Sequence, residues 1–403
     1  MLYTVRMSPG TVRYTYRLRP GRQAEDALLA EWGRCRYLWN EAVHQQKTGR
    51  KPTLCKLSKL LTAARAADPW LRDGSQVAQQ QAIRNYALAL DHSFKVKGRG
   101  RPQVRRRKTA LPTLEYTVRG FAVRGGRLIL PKGTSVPVVW SRDLPSEPSS
   151  VRVYQDNLGH WYASFVVQCE TVPADPASGR IGIDWGVRTP ATTTDPAYDL
   201  PCLAHRQRCA AEVAKAQRKM ARRARRHGRE LRGPQSRGYR QAERQAARAQ
   251  KKAARQNQHD GRIWARRIVA GHDLIAVEDF RGKFLAKSKM ARKAADSSVG
   301  TLKRTLVEYG TRAGRKVVLV PPAYTTMTCA ECGTRAKERL KLAERTFRCQ
   351  ACGHTAGRDR NAARVILAMA ERGHAGADDI RQLPCLPSGV AGGMQSEPEI
   401  PRL

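Results

Sequence analysis

The run IGIDWGV at residues 181–187 is a short apolar strand that carries a single carboxylate, Asp184. Its hydrophobic residues are continuous rather than alternating, as in a strand covered on both faces. TPATTTD, residues 189–195, follows at hairpin distance and reads as its returning partner. HDLIAVEDF at 272–280 is again an apolar strand ending in acid, here Glu278, and KVVLVPP at 316–322 supplies a third strand. A helix is expected between these two, across about 295–313. Two helical arms are expected over 206–267, broken by GPQSRG at 233–238. Strands separated by helices point to an α/β core over 178–325, with a helical hairpin at 204–268 as an excursion from it.

Upstream, TVRYTYRLRP at 11–20 alternates and stops at Pro20, which predicts a strand within a first segment, 1–21. Ala27, Leu28, Trp32, Cys35, Leu38, Trp39 and Ala42 recur at helical spacing over 23–42. Further helices are expected at 53–67 and, behind Ser75 as N-cap, at 76–94, giving a helical piece over 22–110. KVKGRGRPQVRRRKT, 95–109, has no periodicity and is expected to be a flexible basic loop, whose bland alternative is a solvated linker. Short alternating runs such as TLEYTV, GRLILP and WYASFVVQ then fill 111–172 as a small antiparallel barrel or sandwich, into which the helices look inserted. The Gly, Pro, Ala and Ser-rich tail, 373–403, is expected to be disordered.

Lys and Arg total 75 against 34 Asp and Glu, a formal charge of +41. Each cation that meets a phosphate releases a condensed counterion, so a nucleic-acid backbone is the expected partner. Residues 206–255 alone hold 18 basic and 3 acidic residues, a rail for such a backbone or, more plainly, a hairpin whose charges face water. A membrane surface is not expected: there is no signal peptide, anchor or apolar run near the ~18 residues a span needs. The protein is read as cytoplasmic.

Ten cysteines are present, of which Cys329, Cys332, Cys349 and Cys352 form two Cys-x2-Cys pairs separated by 16 residues, over a segment taken as 326–354. Four thiolates so spaced can surround one Zn²⁺ tetrahedrally in a closed, structural site, and a redox pair is the alternative. His354 is not needed by such a site. Cys35, Cys55, Cys169, Cys202, Cys209 and Cys385 read as ordinary reduced thiols.

Acids at strand ends are the second signal: Asp184, Glu278, and Asp359 within GRDRNAARVIL in the last core segment, 355–372. Phosphodiester hydrolysis with two Mg²⁺ needs a few carboxylates converging on one point. Taken singly, each is as readily a strand-end cap or surface acid, and Asp195, Asp199, Asp273 and Asp279 compete with them. The order strand, hairpin, helical excursion, strand, helix, strand is compatible with an α/β fold of the RNase H type.

IGIDWGV, IAVEDF and DRNAA, with the cysteine ribbon just before the last, resemble the split RuvC-like nuclease of transposon-encoded TnpB proteins and the compact type V CRISPR effectors. PPAYTTMTCAECG (321–333), FRCQACGH (347–354) and YRLRPGRQAEDALLAEWGRCRYLWNEA (16–42) are similar to the same family, so the resemblance reaches to about residue 370. It implies a multidomain α+β protein: an RNase H-like (RuvC) α/β core with an inserted zinc ribbon that binds target nucleic acid, plus an N-terminal β-barrel, the wedge, with an inserted helical recognition domain. By that resemblance Asp184, Glu278 and Asp359 would be the catalytic acids holding two Mg²⁺, and the four cysteines would hold one structural Zn²⁺. It further implies a bacterial RNA-guided DNA endonuclease cutting beside a short flanking motif, with guide RNA and double-stranded DNA as partners, one chain per guide and a dimer left open. The family commonly has Asp two positions before the last acid, where this chain has Gly357. Two other readings stay open: a guided repressor with little or no cleavage, and a strand-transferring transposase.

Overall fold

The computed structural model describes residues 3–4, 10–49, 52–96, 98–107, 109–169, 175, 177–227, 230–231, 233, 235–280, 290–338, 340 and 344–372. The expectation for 373–403 lies outside them. In chain order the elements are β1 (Tyr3–Thr4), β2 (Gly10–Leu18), α1 (Arg22–Lys47), α2 (Leu54–Ala67), α3 (Pro69–Arg72), α4 (Gln76–Lys95), β3 (Thr113–Thr117), β4 (Ala122–Arg124), β5 (Arg127–Leu130), β6 (Thr134–Val139), β7 (Pro148–Gln155), β8 (Trp161–Cys169) and β9 (Gly179–Trp185). They continue with β10 (Ala191–Thr193), α5 (His205–Arg208), α6 (Ala210–Arg223), β11 (Arg226–His227), β12 (Glu230–Leu231), α7 (Arg237–Gly271), β13 (His272–Glu278), α8 (Ala291–Ser297), α9 (Val299–Arg312), β14 (Lys316–Val320), β15 (Thr346–Arg348), β16 (Thr355–Gly357) and α10 (Arg358–Arg372). Two compact units result, one of residues 11–169 and one of 1–10 with 170–403.

In the first unit a seven-stranded sheet has the order β3-β7-β8-β2-β6-β5-β4. Alternation along β7 and β8 turns Val151, Val153, Ala163 and Phe165 inward, where they pack with Tyr16, Trp161, Leu28 and Trp32. Between β2 and β3 the chain makes four helices. Thr53 caps α2 by accepting from the Lys56 N–H, Asp68 caps α3 by accepting from the Trp70 N–H ahead of Pro69, and Ser75 caps α4 by accepting from the Ala78 N–H. The first helix runs five residues beyond the expected 42, because Val43 is fully buried against Leu57, Leu61 and Tyr86 and extends the apolar stripe. Residues 99–107 differ from the flexible loop read from the sequence: they are irregular, yet hydrogen-bonded to α1 through Trp39 and Asn40.

The second unit is built on the sheet β1-β14-β13-β9-β10. Its three central strands are parallel, and β1 and β10 run antiparallel at the edges. Assignment of all of 1–21 to the N-terminal β domain is therefore corrected for its first residues, since Tyr3 and Thr4 pair with Leu319 and Val318. Residues 275, 277 and 317 point to one face with Ile181 and Ile183, against α7 and α9. Residues 276, 318 and 320 point to the other, against Ile366 and Ala370 of α10. Burial on both faces is why these strands read as unbroken apolar runs. The single helix expected over 295–313 is two, divided at Ser298, whose φ of 50° breaks the helical path. In the arginine-rich excursion, α6 and α7 pack through Val213, Ala216, Ala246 and Ala249, small residues that let the axes approach. Among the described residues, no helix is long and apolar enough to cross a membrane.

Candidate active site

Strand parity places the three acids. Gly182 and Asp184 of β9 lie on the α10 face of the sheet, opposite in direction to Ile181 and Ile183. Register pairs Val277 with Ile183, so Glu278 at the end of β13 stands beside Asp184 on that same face. Asp359 occupies the first turn of α10, which covers it. The helix comes this close because position 182 is glycine: a Cβ there would overlap the Ala363 carbonyl oxygen and press on Leu367 Cβ at 2.9 Å. Trp185 ties the two strand ends together, its Nε1 donating to the Glu278 carbonyl at 3.1 Å while its ring packs on Trp264.

Asp184 and Glu278 are each 7% exposed, whereas the Asp359 side chain is 38% exposed. Burial, then repulsion by Glu278 and Asp359, holds the Asp184 carboxyl well above its usual range, against the weaker pull of Arg358 and of a backbone hydrogen bond from Trp185. Burial pushes Glu278 up to about 7, with Lys303 and a Trp185 hydrogen bond opposing and Asp279 adding to it. Asp184 and Glu278 are thus buried neighbours that repel each other, with Asp359 adding to the field at Asp184, and a cation beside them would offset that repulsion.

The competing acids are occupied elsewhere. Asp195 caps a turn by accepting from the Ala197 N–H, Asp273 pairs with Arg315, and Asp279 pairs with Lys303. Asp199 accepts from Arg360 at 2.8 and 3.1 Å and from the Thr193 N–H at 2.8 Å, holding the start of α10 against the β10 hairpin. Asp359 too has a cationic neighbour, Arg345, so these pairings set the four acids apart from Asp184 and Glu278 but not from Asp359.

The four cysteines form a cluster with all Sγ atoms within 4.8 Å of one another. Cys329 and Cys352 are 3.7 Å apart at sulfur, and Cys332 and Cys349 are 3.6 Å apart. A tetrahedral ion with Zn–S near 2.3 Å would set sulfurs roughly 3.8 Å apart, and a disulfide would need ~2.05 Å. The donors thus fit a closed metal site, and His354 is not among them. Both knuckles fold alike: the Cys329 and Cys349 N–H groups donate to Thr334 and His354, and Gly333 and Gly353 turn back at φ of 71° and 75°. Hydrogen bonds from Thr334, side chain then backbone, bring Cys332 down to about 6, while Cys352, against a backbone hydrogen bond from His354, is raised to about 12 by its hydrogen bond with Cys332, by burial and by the other two cysteines.

Sequence reasoning missed two residues that join this cluster to the acids. Asn361 is fully buried on α10; its Nδ2 donates to the Thr328 carbonyl at 2.7 Å and its Oδ1 accepts from the Ala330 N–H at 3.0 Å, fastening the first knuckle. Arg345 stands 3.8 Å from Asp359. Strand β16 pairs with β15 and runs straight into α10, so the ribbon continues through Gly357 rather than stopping at 354. Only DRNAA, with an amide two residues after Asp359, carried any hint of the first contact.

A family model for the Cas12f1-like TNB domain matches residues 300–366, which contain α9 from its second residue, β14, the cysteine cluster, Asp359 and Asn361. Along nearly the whole chain, a Streptomyces pristinaespiralis protein named "Putative RNA-guided DNA endonuclease" is 29% identical over 381 residues, 91% of each chain. The chain is similar to TnpB-like proteins and to compact type V effectors. InsQ of Escherichia coli K12, named as an RNA-guided DNA endonuclease of the same provisional kind, is 28% identical over 90% of this chain and 92% of its own. A mimivirus TnpB-like protein, L79, is 38% identical over 81 residues, 20% of this chain and 15% of its own length.

Proposed function

We propose that this chain is an RNA-guided DNA endonuclease, transposon-borne or of the miniature type V kind, which cuts target DNA beside a short flanking motif. The observation that carries the reading is that Asp184 and Glu278 end neighbouring strands on one face of the sheet while Asp359, on the helix covering that face, acts electrostatically on Asp184, the three coming from segments far apart in sequence. A mixed sheet with parallel centre, long helical excursion and covering α10 supports an RNase H-like, RuvC-type core over 178–325 and 355–372. The antiparallel sheet of the other unit fits the wedge, with the recognition helices between its strands, and the cysteine cluster fits a structural zinc ribbon for target strand binding.

In this reading Asp184, Glu278 and Asp359 would hold two Mg²⁺, and the ions would supply water activation and charge stabilisation for phosphodiester hydrolysis. The protein's own part is to hold the carboxylates close and dehydrated, so that the site accepts cations only as Asp184 and Glu278 give up protons. Trp185 and Gly182 fix the acids' spacing, and Asn361 fixes the ribbon against the helix that bears Asp359. Guide RNA and double-stranded DNA answer the +41 charge, with base pairing supplying specificity and arginines meeting backbone.

The test is purification from cells carrying the native flanking DNA, sequencing of any co-purified RNA, and incubation of that complex with matched DNA and Mg²⁺. A discrete RNA and guide-dependent cutting that stops with EDTA is the expected result. Tight guided binding with no cutting would replace the nuclease by a repressor, and joined strand-transfer products would replace it by a transposase.

A further inference from the structure

Residues 99–107 read RGRPQVRRR, five arginines with no acid, and a chain of like charges ordinarily stays solvated and loose. Here it is fastened. The Asn40 side chain engages the backbone of Arg105 in both directions, Nδ2 donating to its carbonyl at 3.1 Å and Oδ1 accepting from its N–H at 2.8 Å. Trp39 Nε1 donates to the Gln103 carbonyl at 2.9 Å, and Arg36 reaches the Arg105 carbonyl at 3.4 Å. Pro102 is buried beneath the turn. The Arg105 guanidinium lies 3.5 Å over the Trp39 ring, a cation–π stack.

Pinning concentrates charge that no carboxylate pairs with directly, Glu115 acting on Arg105 only from a distance. Among the described residues, none of Arg36, Arg99, Arg101, Arg105, Arg106 and Arg107 has a carboxylate oxygen within 4.0 Å. Burial pushes the Arg105 guanidinium down to about 10. Arg101, Arg106 and Arg107 are exposed around it. Fixing these arginines beforehand is unfavourable for the free protein and favourable only for an anion that meets several at once, since the ordering of the loop is then complete before binding.

We propose that residues 99–107 are a preshaped seat for a nucleic-acid phosphodiester backbone, with Arg105 meeting phosphate and Asn40 as the positioning residue. The inference rests on the reading that the chain binds nucleic acid and is independent of whether it cuts. RNA and duplex DNA share the chemistry recognised, and the two are separated by probe.

The full-length protein, its Asn40→Ala and Arg105→Gln variants, and the triple change of Arg101, Arg106 and Arg107 to Gln are compared in EDTA, so that cleavage plays no part. Binding of a labelled transcript of the flanking DNA, and of a DNA duplex of the same sequence, is followed across a salt series, and melting curves check folding. Arg105→Gln should weaken binding several-fold and make the logarithmic salt slope shallower by about one, and the triple variant by more. Asn40→Ala keeps every arginine, yet should open 99–107 to trypsin and lose a comparable factor in affinity, with bound probe restoring protection. The probe whose slope changes identifies the occupant. Wild-type affinity and slope in Asn40→Ala despite an opened loop, or in Arg105→Gln, would overturn the seat, and continued trypsin resistance in Asn40→Ala would overturn the pinning. If the wild-type protein binds neither probe, the nucleic-acid reading fails with it, whereas binding without cutting leaves the seat standing and removes only the nuclease.

Discussion

Gly182 lies directly beneath the carbonyl of Ala363, so that strand β9 and helix α10 touch backbone to backbone. Asp184 follows the first residue by two positions and Asp359 precedes the second by four, one helical turn. The separation of two of the proposed catalytic acids is therefore set by the absence of one methyl group.

Gly182→Ala should lower DNA cutting by about a hundredfold, the scale on which an ångström's misplacement of a reacting group acts, and depress the melting temperature through overpacking. Guided binding should persist. Cleavage at the wild-type rate in a folded Gly182→Ala protein would show that α10 is not held at this distance for catalysis.

The raised acids predict a pH dependence of stability. Glu278 has a folded pKa of about 7 against an ordinary 4.5, so between those values the fold binds more protons than the unfolded chain. Its sign is that of a raised acid: metal-free stability is greatest at and below the ordinary value and falls as pH rises through about 7, by about 3 kcal/mol at most. Asp184 acts in the same direction. Thermal melts in EDTA should show this fall, Glu278→Gln should flatten it, and Mg²⁺ should stabilise more at the alkaline end. A metal-free protein that grows more stable over that window would refute the assignment.

For the cysteine cluster the relevant fact is size. Among the described residues its buried apolar set is Cys329, Phe347 and Cys349 with Leu340 beside them, too little to fold without a staple. Cys349→Ser should lose bound zinc, measured by elemental analysis, and open the ribbon to protease, while the main transition of the sheet survives. Full zinc occupancy in the variant would show that Cys349 is not a ligand.

Asn361→Ala leaves the half-buried Thr328 carbonyl and Ala330 N–H without this partner, at about 1 kcal/mol per group. Cutting should fall while the zinc content stays at wild type, because the knuckle is intact but no longer fastened to α10. Loss of zinc in this variant would mean that Asn361 maintains the ribbon's fold rather than its placement.

The sequence by itself determined what depends on local pattern. Four thiols at Cys-x2-Cys spacing define a knuckle pair wherever they fall, continuous apolar runs mark strands covered twice, and Thr53 and Ser75 announce helix starts because a capping oxygen acts within three residues. Legible too was that IGIDWGV, IAVEDF and DRNAA belong together, through family likeness rather than physics. Tertiary structure decided what depends on contacts between distant segments: the pairing of Tyr3–Thr4 with β14, the fastening of 99–107 by Asn40, the fastening of the ribbon by Asn361, and the partner that each of the seven candidate acids meets. Asp184 and Asp199 look alike in the sequence, and only the fold brings Arg360 to Asp199 while leaving Asp184 buried beside Glu278. A carboxylate's partner is whatever the packed chain places within a few ångströms, and no short-range pattern encodes that.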